Sequence, residues 1–437
     1  MRQPSLDSRL DSGVFSHNRS FLYRQYKKYR SALNRCFSLG YGSIMQKYLS
    51  APIIWFMKPF LMLGLFEFLK IKPPTRPIRV QRIPLAACGM ALLLACAGAP
   101  SAVAAPPTFT VGWSVYAGWN PYFYMAKSGI LKRWADKYGV VIKVQRFDYA
   151  ASLDAFVGKN IDACTMTNME ALDMPAAAGV DSTVVIVGDY SNGNDAVLAR
   201  NNLTLAQLPG KPILLVQKTV SEYLLERAMV LNGLDNQLPR LKLLNTSDSD
   251  IVGAFLGDKS NQVAVTWKPL VSEIVDQDHG VKSLFDSSHI PEEILDLLVV
   301  RTDVLKRPDG SGIKFAKAIA GAWYETVAQI AAANAQAISG SAAASGDSVA
   351  SYKEQLRTTY LYSSASAAAQ FAQSGDLKQK MELVRQFCFR HALLGQNIQS
   401  VDDVAILYPD GGIQGKKDRV RLRVDAAYMQ LAAQGKL

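Results

Sequence analysis

TVGWSVYAGWNPYFYMAKSGILKRW, running from Thr110 to Trp134, is the stretch whose reading decides the fold. It begins as a short apolar strand, Phe109 to Trp113, and breaks into a loop at Gly118 and Pro121. It resumes as a helix expected over Tyr122–Tyr138. Trp113, Tyr116, Trp119, Tyr122, Phe123 and Tyr124 crowd into a dozen residues. An aromatic loop between the carboxyl end of a strand and a helix is where open α/β sheets place ligands. The competing reading is that these rings are ordinary core.

Outward from this stretch, strand and helix alternate, as in a parallel sheet. Strands are expected at Val141–Phe147, Ala163–Met166 and Thr183–Gly188, and helices at Ala151–Gly158 and Asn168–Ala178. Asn192-Gly193 signals a turn before a further strand, Ala196–Arg200. From Asn201 the alternation restarts, with strand Ile213–Gln217, helix Glu222–Leu231 capped by Thr219 or Ser221, strand Leu241–Asn245, helix Asp248–Leu256 and strand Val263–Trp267. Leu297–Arg301 is a last apolar strand of this part. Beyond Asp303 the pattern is helical and alanine-rich, with a long helix over Ile313–Ala335, a small-residue loop over Ser339–Ser348, and helices over Ser364–Gln373 and Leu377–Leu394. Val420–Val424 is strand-like, and a final helix follows.

Charge separates the chain into two parts. Residues 1–104 hold 15 Lys+Arg and 3 Asp+Glu, a net of +12, leaving 33 and 34, a net of −1, for residues 105–437. The basic excess belongs to the leader, and the body has no basic stripe that would track a phosphate backbone, which argues against a nucleic-acid partner. Residues 1–75 read as no domain and are taken as an upstream extension, the true start being internal, at Met62 or Val80. Residues 76–104 read as a secretory signal: Arg76, Arg79 and Arg82 precede the apolar run Ile83–Ala99 and the cleavage site Ala102-Val103-Ala104. Leu93-Leu94-Ala95-Cys96 offers a lipid anchor on Cys96 as the second processing route.

Cys164 and Cys388 are the only cysteines of the body and lack metal-ligand spacing, so two buried thiols are expected, with no metal and no cofactor. His279, His289 and His391 are scattered. HExxH, GxSxG and Walker A patterns are absent. His391 closes a helix, where a cation is favoured by the helix dipole.

What remains is a pocket. Trp113–Trp119, Thr165–Glu170, Gly188–Asp195 and Val216–Glu222 fall at strand ends on one cleft, and Trp267 joins them from the second half. Thr165, Thr167 and Asn168 offer donors and acceptors where a strand gives way to a helix, or simply cap that helix. Asp189 and Asp195 flank the tight turn, as ligand groups or as solvated turn residues. Glu170 adds a carboxylate and Ser221 a hydroxyl. The segments Trp113–Tyr124, Thr165–Glu170 and Gly188–Asp195 contain no Lys or Arg. Lys218 and Lys268 are the nearby cations of the second half. Aromatic faces with carboxylates suit a small planar cation such as guanidinium. Urea comes second and sulfonates, which need cationic or strong N–H donors, come third.

The stretches VGWSVYAGWNPYFYMAKSGIL, DACTMTNMEALDMPAAAGVDSTVVIVGDYSNGNDAVL, SEYLLERAM, LLNTSDSDIVGAF, AVTWKPLVSEI and RHALLG resemble the solute-binding proteins of ABC importers, in the group related to sulfonate, nitrate and taurine binders. Within that group the chain is most similar to the branch encoded near urea and guanidine carboxylases, over essentially all of Pro107–Leu437. Glu170 departs from the Asp expected in that branch's asparagine–methionine motif. The resemblance implies an α/β periplasmic-binding-protein fold of type II. Two Rossmann-like lobes, 106–198 with 300–437 and 199–299, would be joined by a two-strand hinge at Ala196–Arg200 and Leu297–Arg301, with extra C-terminal helices. It further implies an exported, monomeric, non-enzymatic receptor that takes a small-molecule ligand to an ABC permease and its ATPase. The reading from another class is an enzyme like the thiamine-pyrimidine synthases, which share the fold but carry a cysteine-rich iron-associated motif. Isolated cysteines and an export signal argue against it here.

Overall fold

The structure is a computed structural model and describes residues 105–437, so the extension, signal and Cys96 readings lie outside the described residues. The described residues form fourteen strands in two sheets. They are β1 (Thr108–Trp113), β2 (Val141–Arg146), β3 (Ala163–Thr167), β4 (Ser182–Ser191), β5 (Ala196–Ala199), β6 (Pro212–Leu215), β7 (Lys242–Asn245), β8 (Val263–Thr266), β9 (Lys282–Asp286), β10 (Leu295–Arg301), β11 (Thr359–Leu361), β12 (Ala405–Leu407), β13 (Ile413–Gln414) and β14 (Val420–Val424). The larger sheet runs β13-β12-β14-β4-β10-β3-β1-β2, with β11 also paired to β4. The smaller runs β7-β6-β8-β5-β9.

Each sheet is built on parallel β/α units; the smaller holds one strand of contrary direction and the larger three, β10 within it and β11 and β13 at its margin. In the larger sheet β1 pairs parallel with β2 and β3, while β10 lies antiparallel between β3 and β4. In the smaller, β6 pairs parallel with β7 and β8, and β5 runs antiparallel to β8 and β9. β5 follows β4 in sequence, and β10 follows β9. The chain therefore leaves the larger sheet through residues 192–195 and returns through residues 287–294. Ala196–Ala199 and Leu295–Arg301 are themselves committed to one sheet each, so the expected hinge strands are flanks of two shorter links.

β3 and β10 are buried along their whole length, as strands covered on both faces must be. Their apolar runs Ala163–Met166 and Leu297–Val300 supply that burial. Phe109, Val111 and Trp113 share one face of β1 by strand alternation, and all three are buried, Phe109 stacking on Phe315 at 4.6 Å.

Several helices differ from the sequence expectation for identifiable reasons. The helix expected over Tyr122–Tyr138 is two, Asn120–Lys127 and Ile130–Tyr138, separated at Gly129 with φ +83°. The one expected over Asn168–Ala178 is reduced to a wide turn at Leu172–Ala176, because Pro175 has no N–H to give the helical ladder. Ile313–Ala335 becomes Ser311–Ala331, and Ala335–Ser345 then forms a new helix where a loop was expected. Asn334 caps it by accepting from the Ala337 amide, alanine favours its interior, and Gly346 at φ +79° ends it. The short strands β9, β12 and β13 carry too few residues to show a period.

Helix Ser311–Ala331 starts against the carbonyl of Val304. A Cβ added at Gly312 would stand 1.9 Å from that oxygen, and backbone cannot move aside as a side chain can. Gly312→Ala should therefore destabilise the protein by about 2 kcal/mol or more. Thermal unfolding checks this, and an unchanged midpoint would mean the helix start repacks freely. Among the described residues no helix is long and apolar enough to cross a membrane.

Candidate functional site

The loop after β1 closes on itself, the amides of Trp119 and Asn120 both donating to the Tyr116 carbonyl at 2.9 Å. Gly118 permits the approach of the loop to β4, since a Cβ there would lie 2.2 Å from Asp189 Oδ2. The aromatic side chains then form a row. Trp119 meets Tyr116 edge-on at 5.2 Å between centroids and Tyr149 at 5.4 Å, and Tyr149 meets Trp267 edge-on at 5.7 Å. Trp267 follows β8 of the smaller sheet, and its indole N–H donates to the Val115 carbonyl at 3.2 Å. The row thus runs from one sheet to the other.

Beside the row lies a pocket with an empty volume of about 260 Å³, part of it open to solvent. Its lining is Tyr116, Trp119, Tyr149, Thr167, Asp195, Val220, Trp267, Ile294 and Asp296. The enclosed part of it is only about 10 Å³, room for about one water, so the two sides stand nearly in contact. None of the lining residues is Lys or Arg. Lys268 Nζ instead donates to Thr358 Oγ1 at 2.9 Å, and the Lys218 amide donates to Glu222.

Carboxyl groups dominate the electrostatics. Asp296 stands directly opposite Asp189 in the β10–β4 ladder, and both are buried. One oxygen on each, Oδ2, has no hydrogen-bond partner. Tyr116 Oη donates to Asp189 Oδ1 at 3.3 Å and accepts from Asn194 Nδ2 at the same distance. Burial pushes the Asp189 carboxyl up to about 7, against hydrogen bonds from Asp296 and Tyr116. Burial, then the charge of Asp189, pushes Asp296 well above the ordinary carboxyl range. Asp195, in the link between β4 and β5, is pushed up to about 7 by burial, with Ser191 hydrogen-bonding its carboxyl in opposition. The turn carboxylates are thus buried groups, not solvated ones.

Of the residues singled out in the sequence, the pocket brings together Tyr116, Trp119, Thr167, Asp195 and Trp267. The others sit behind or beside it. Trp113 is core, 6.2 Å from Phe123 between centroids. Thr165 is buried with its hydroxyl unpaired. Asn168 ties down the returning link, donating to the Glu293 carbonyl and accepting from the Leu295 amide at 3.1 Å each. Asp189 backs Tyr116. Ser221 lies in the first turn of helix Val220–Leu231, which Thr219 caps. Glu170 is buried between Thr167, Tyr149 and the amide of Val220. Burial raises its carboxyl, and those three donors pull it part of the way back. Tyr149, Ile294 and Asp296 were missed, and Val220 was reached only through its segment Val216–Glu222. A charge inside the apolar strand LDLLVVR was the available signal for Asp296. Away from the pocket, Cys164 and Cys388 are buried free thiols. Arg390 and His391, at the end of helix Gly375–Arg390, pair with Glu226, Arg390 at 2.6 Å.

No family model matches the chain, and no curated protein matches it. Solved structures do. The alkanesulfonate-binding protein SsuA of Xanthomonas axonopodis pv. citri, bound to MOPS, superimposes with a TM-score of 0.56 at 17% identity, covering 68% of this chain and 97% of that one. The periplasmic aliphatic sulphonate-binding protein SsuA of Escherichia coli gives 0.54 at 18% identity, covering 67% and 95%. The ligand-binding component of an ABC-type import system of Staphylococcus aureus, with zinc bound, gives 0.50 at 12% identity, covering 65% and 92%. The fold is that of the periplasmic binding proteins. The pocket lies where that fold joins its two sheets.

Proposed function

We propose that this chain is the substrate-binding component of an ABC importer, an exported receptor that closes on a small solute and delivers it to a permease. The observation that carries the proposal is the pocket lined from both sheets, with Tyr116 and Trp119 on one side and Val220 and Trp267 on the other. In this reading the lobes follow the two sheets, residues 106–191 with 295–437 and residues 196–286, in place of the bounds 106–198 with 300–437 and 199–299 expected from the sequence, and the links at 192–195 and 287–294 bend between them. The leader expected at 76–104 places the receptor in the periplasm, with the anchor on Cys96 as its alternative. The chain is a receptor, not an enzyme.

Two ligand classes have support. Two of the three fold neighbours, the SsuA proteins of Xanthomonas axonopodis pv. citri and Escherichia coli, bind alkanesulfonates or aliphatic sulphonates, and this supports the sulfonate reading. The chemistry of the pocket favours a small nitrogen compound. Asp195 and Asp296 line it, four aromatic rings surround it, and no Lys or Arg faces it to neutralise a sulfonate. We rank guanidinium first on that chemistry and urea second. Sulfonate stands as the reading that fold likeness supports.

Small-angle scattering tests the receptor proposal apart from the ligand class. Adding guanidinium, urea or taurine in turn should lower the radius of gyration for at least one of them. No compaction with any of the three would argue against capture between lobes.

A further inference from the structure

Helix Val220–Leu231 opens at the pocket wall. Thr219 caps it by accepting from the Ser221 amide, and Val220 itself lines the pocket. Amide groups at a helix start carry partial positive charge and draw anions. In this chain the first of them is already taken. The Val220 amide donates at 2.7 Å to Oε1 of Glu170, which lies in the loop after β3 of the larger sheet. Glu170 is fully buried. Its second oxygen accepts from Thr167 Oγ1. The carboxyl is therefore seated by its own sheet and reaches the helix of the other.

We propose that Glu170 sets the class of solute by serving as the chain's own anion: on closure it occupies the start of helix Val220–Leu231 and excludes sulfonates and carboxylates from that donor. This rests on the receptor reading above and deepens it. A receptor for anions would leave the helix start open, so that its ligand made the bridge between lobes. Here a side chain makes the bridge, and the space left beside it is bordered by Asp195 and Asp296. The buried hydroxyl of Ser221, in the first turn of the same helix, has no partner and stays available to an anion if Glu170 is withdrawn.

Calorimetric titration of taurine and of guanidinium into the wild type, Glu170→Ala and Glu170→Gln tests this. The wild type should give no taurine response, and Glu170→Ala should bind taurine at least about tenfold more tightly than the wild-type limit. If Glu170→Ala does not fold, as judged by circular dichroism, Glu170→Gln keeps the shape without the charge and should show the same gain more weakly. Taurine binding by the wild type would overturn the proposal, and so would folded variants that stay silent to taurine. The guanidinium arm separates the two failures. A wild type that binds guanidinium while the variants ignore taurine removes only the role of Glu170. A wild type that binds neither of these solutes nor urea removes the receptor reading as well.

Discussion

The affinity for guanidinium should rise at least about tenfold between pH 6 and pH 8. Asp195 and Asp189 are held near 7 by burial, and Asp296 higher still. A cation binds the ionised carboxylates, so its binding must expel protons at pH 6 that are already gone at pH 8. A sulfonate would show the opposite slope. Stability without ligand should move against guanidinium affinity. The folded carboxyls bind protons more strongly than the ordinary value of 3.8, so this contribution is complete below about pH 4 and is lost as pH rises towards 7. Asp195→Asn should weaken guanidinium binding by about 10- to 100-fold, the loss of one charge-assisted hydrogen bond, and flatten the pH profile. Calorimetry across that range checks both. A flat wild-type profile would mean that these carboxyls do not meet the ligand.

Asp162→Ala should destabilise the protein by roughly 3 kcal/mol while leaving solute affinity intact. Asp162, just before β3, ties β1, the end of β10 and the segment after it, away from the pocket. Its Oδ2 accepts from the Thr110 amide at 2.9 Å, and its Oδ1 lies 2.8 Å from Arg307 Nη2 and 3.6 Å from Arg301 Nη2. Arg301 is buried at the end of β10, and Arg307 covers the ring of Phe109 at 4.4 Å. Removing the carboxylate leaves Arg301 with exposed Asp303 as its remaining carboxylate, takes the carboxylate from Arg307 and strips the Thr110 amide of its acceptor. Denaturant unfolding measures the loss. A change under about 1 kcal/mol would show that Asp303 takes over the pairing.

The alternation of strand and helix, and its restart after Asn201, carried the fold because parallel β/α units write their period into local sequence. Ala163–Met166, Leu297–Arg301 and Val420–Val424 could be found as apolar runs for that reason. Residues 339–348 could not be placed, because alanine and serine give no period and the helix there depends on Asn334 and Gly346 at its ends. The pocket was legible only where a side chain belongs to a strand-end loop, as for Tyr116, Trp119 and Asp195. Trp113 was misjudged although period two groups it with Phe109 and Val111 on the covered face. Asp296 gave a signal as a charge in an apolar strand, but its partner was out of reach. It meets Asp189 across an antiparallel ladder that joins residues more than a hundred positions apart, and no local pattern encodes that register. Tyr149 likewise enters the site only because Trp119 and Trp267 converge on its ring.

Competitive calorimetry with guanidinium, urea and taurine on the wild-type protein at pH 8 tests the account most directly. The pocket between the sheets, with its aromatic row and its Asp195 and Asp296 carboxyls, predicts guanidinium tightest, urea weaker and taurine without effect. Tight taurine binding with no response to guanidinium would contradict it, leaving the fold and the receptor role but reversing the charge of the solute.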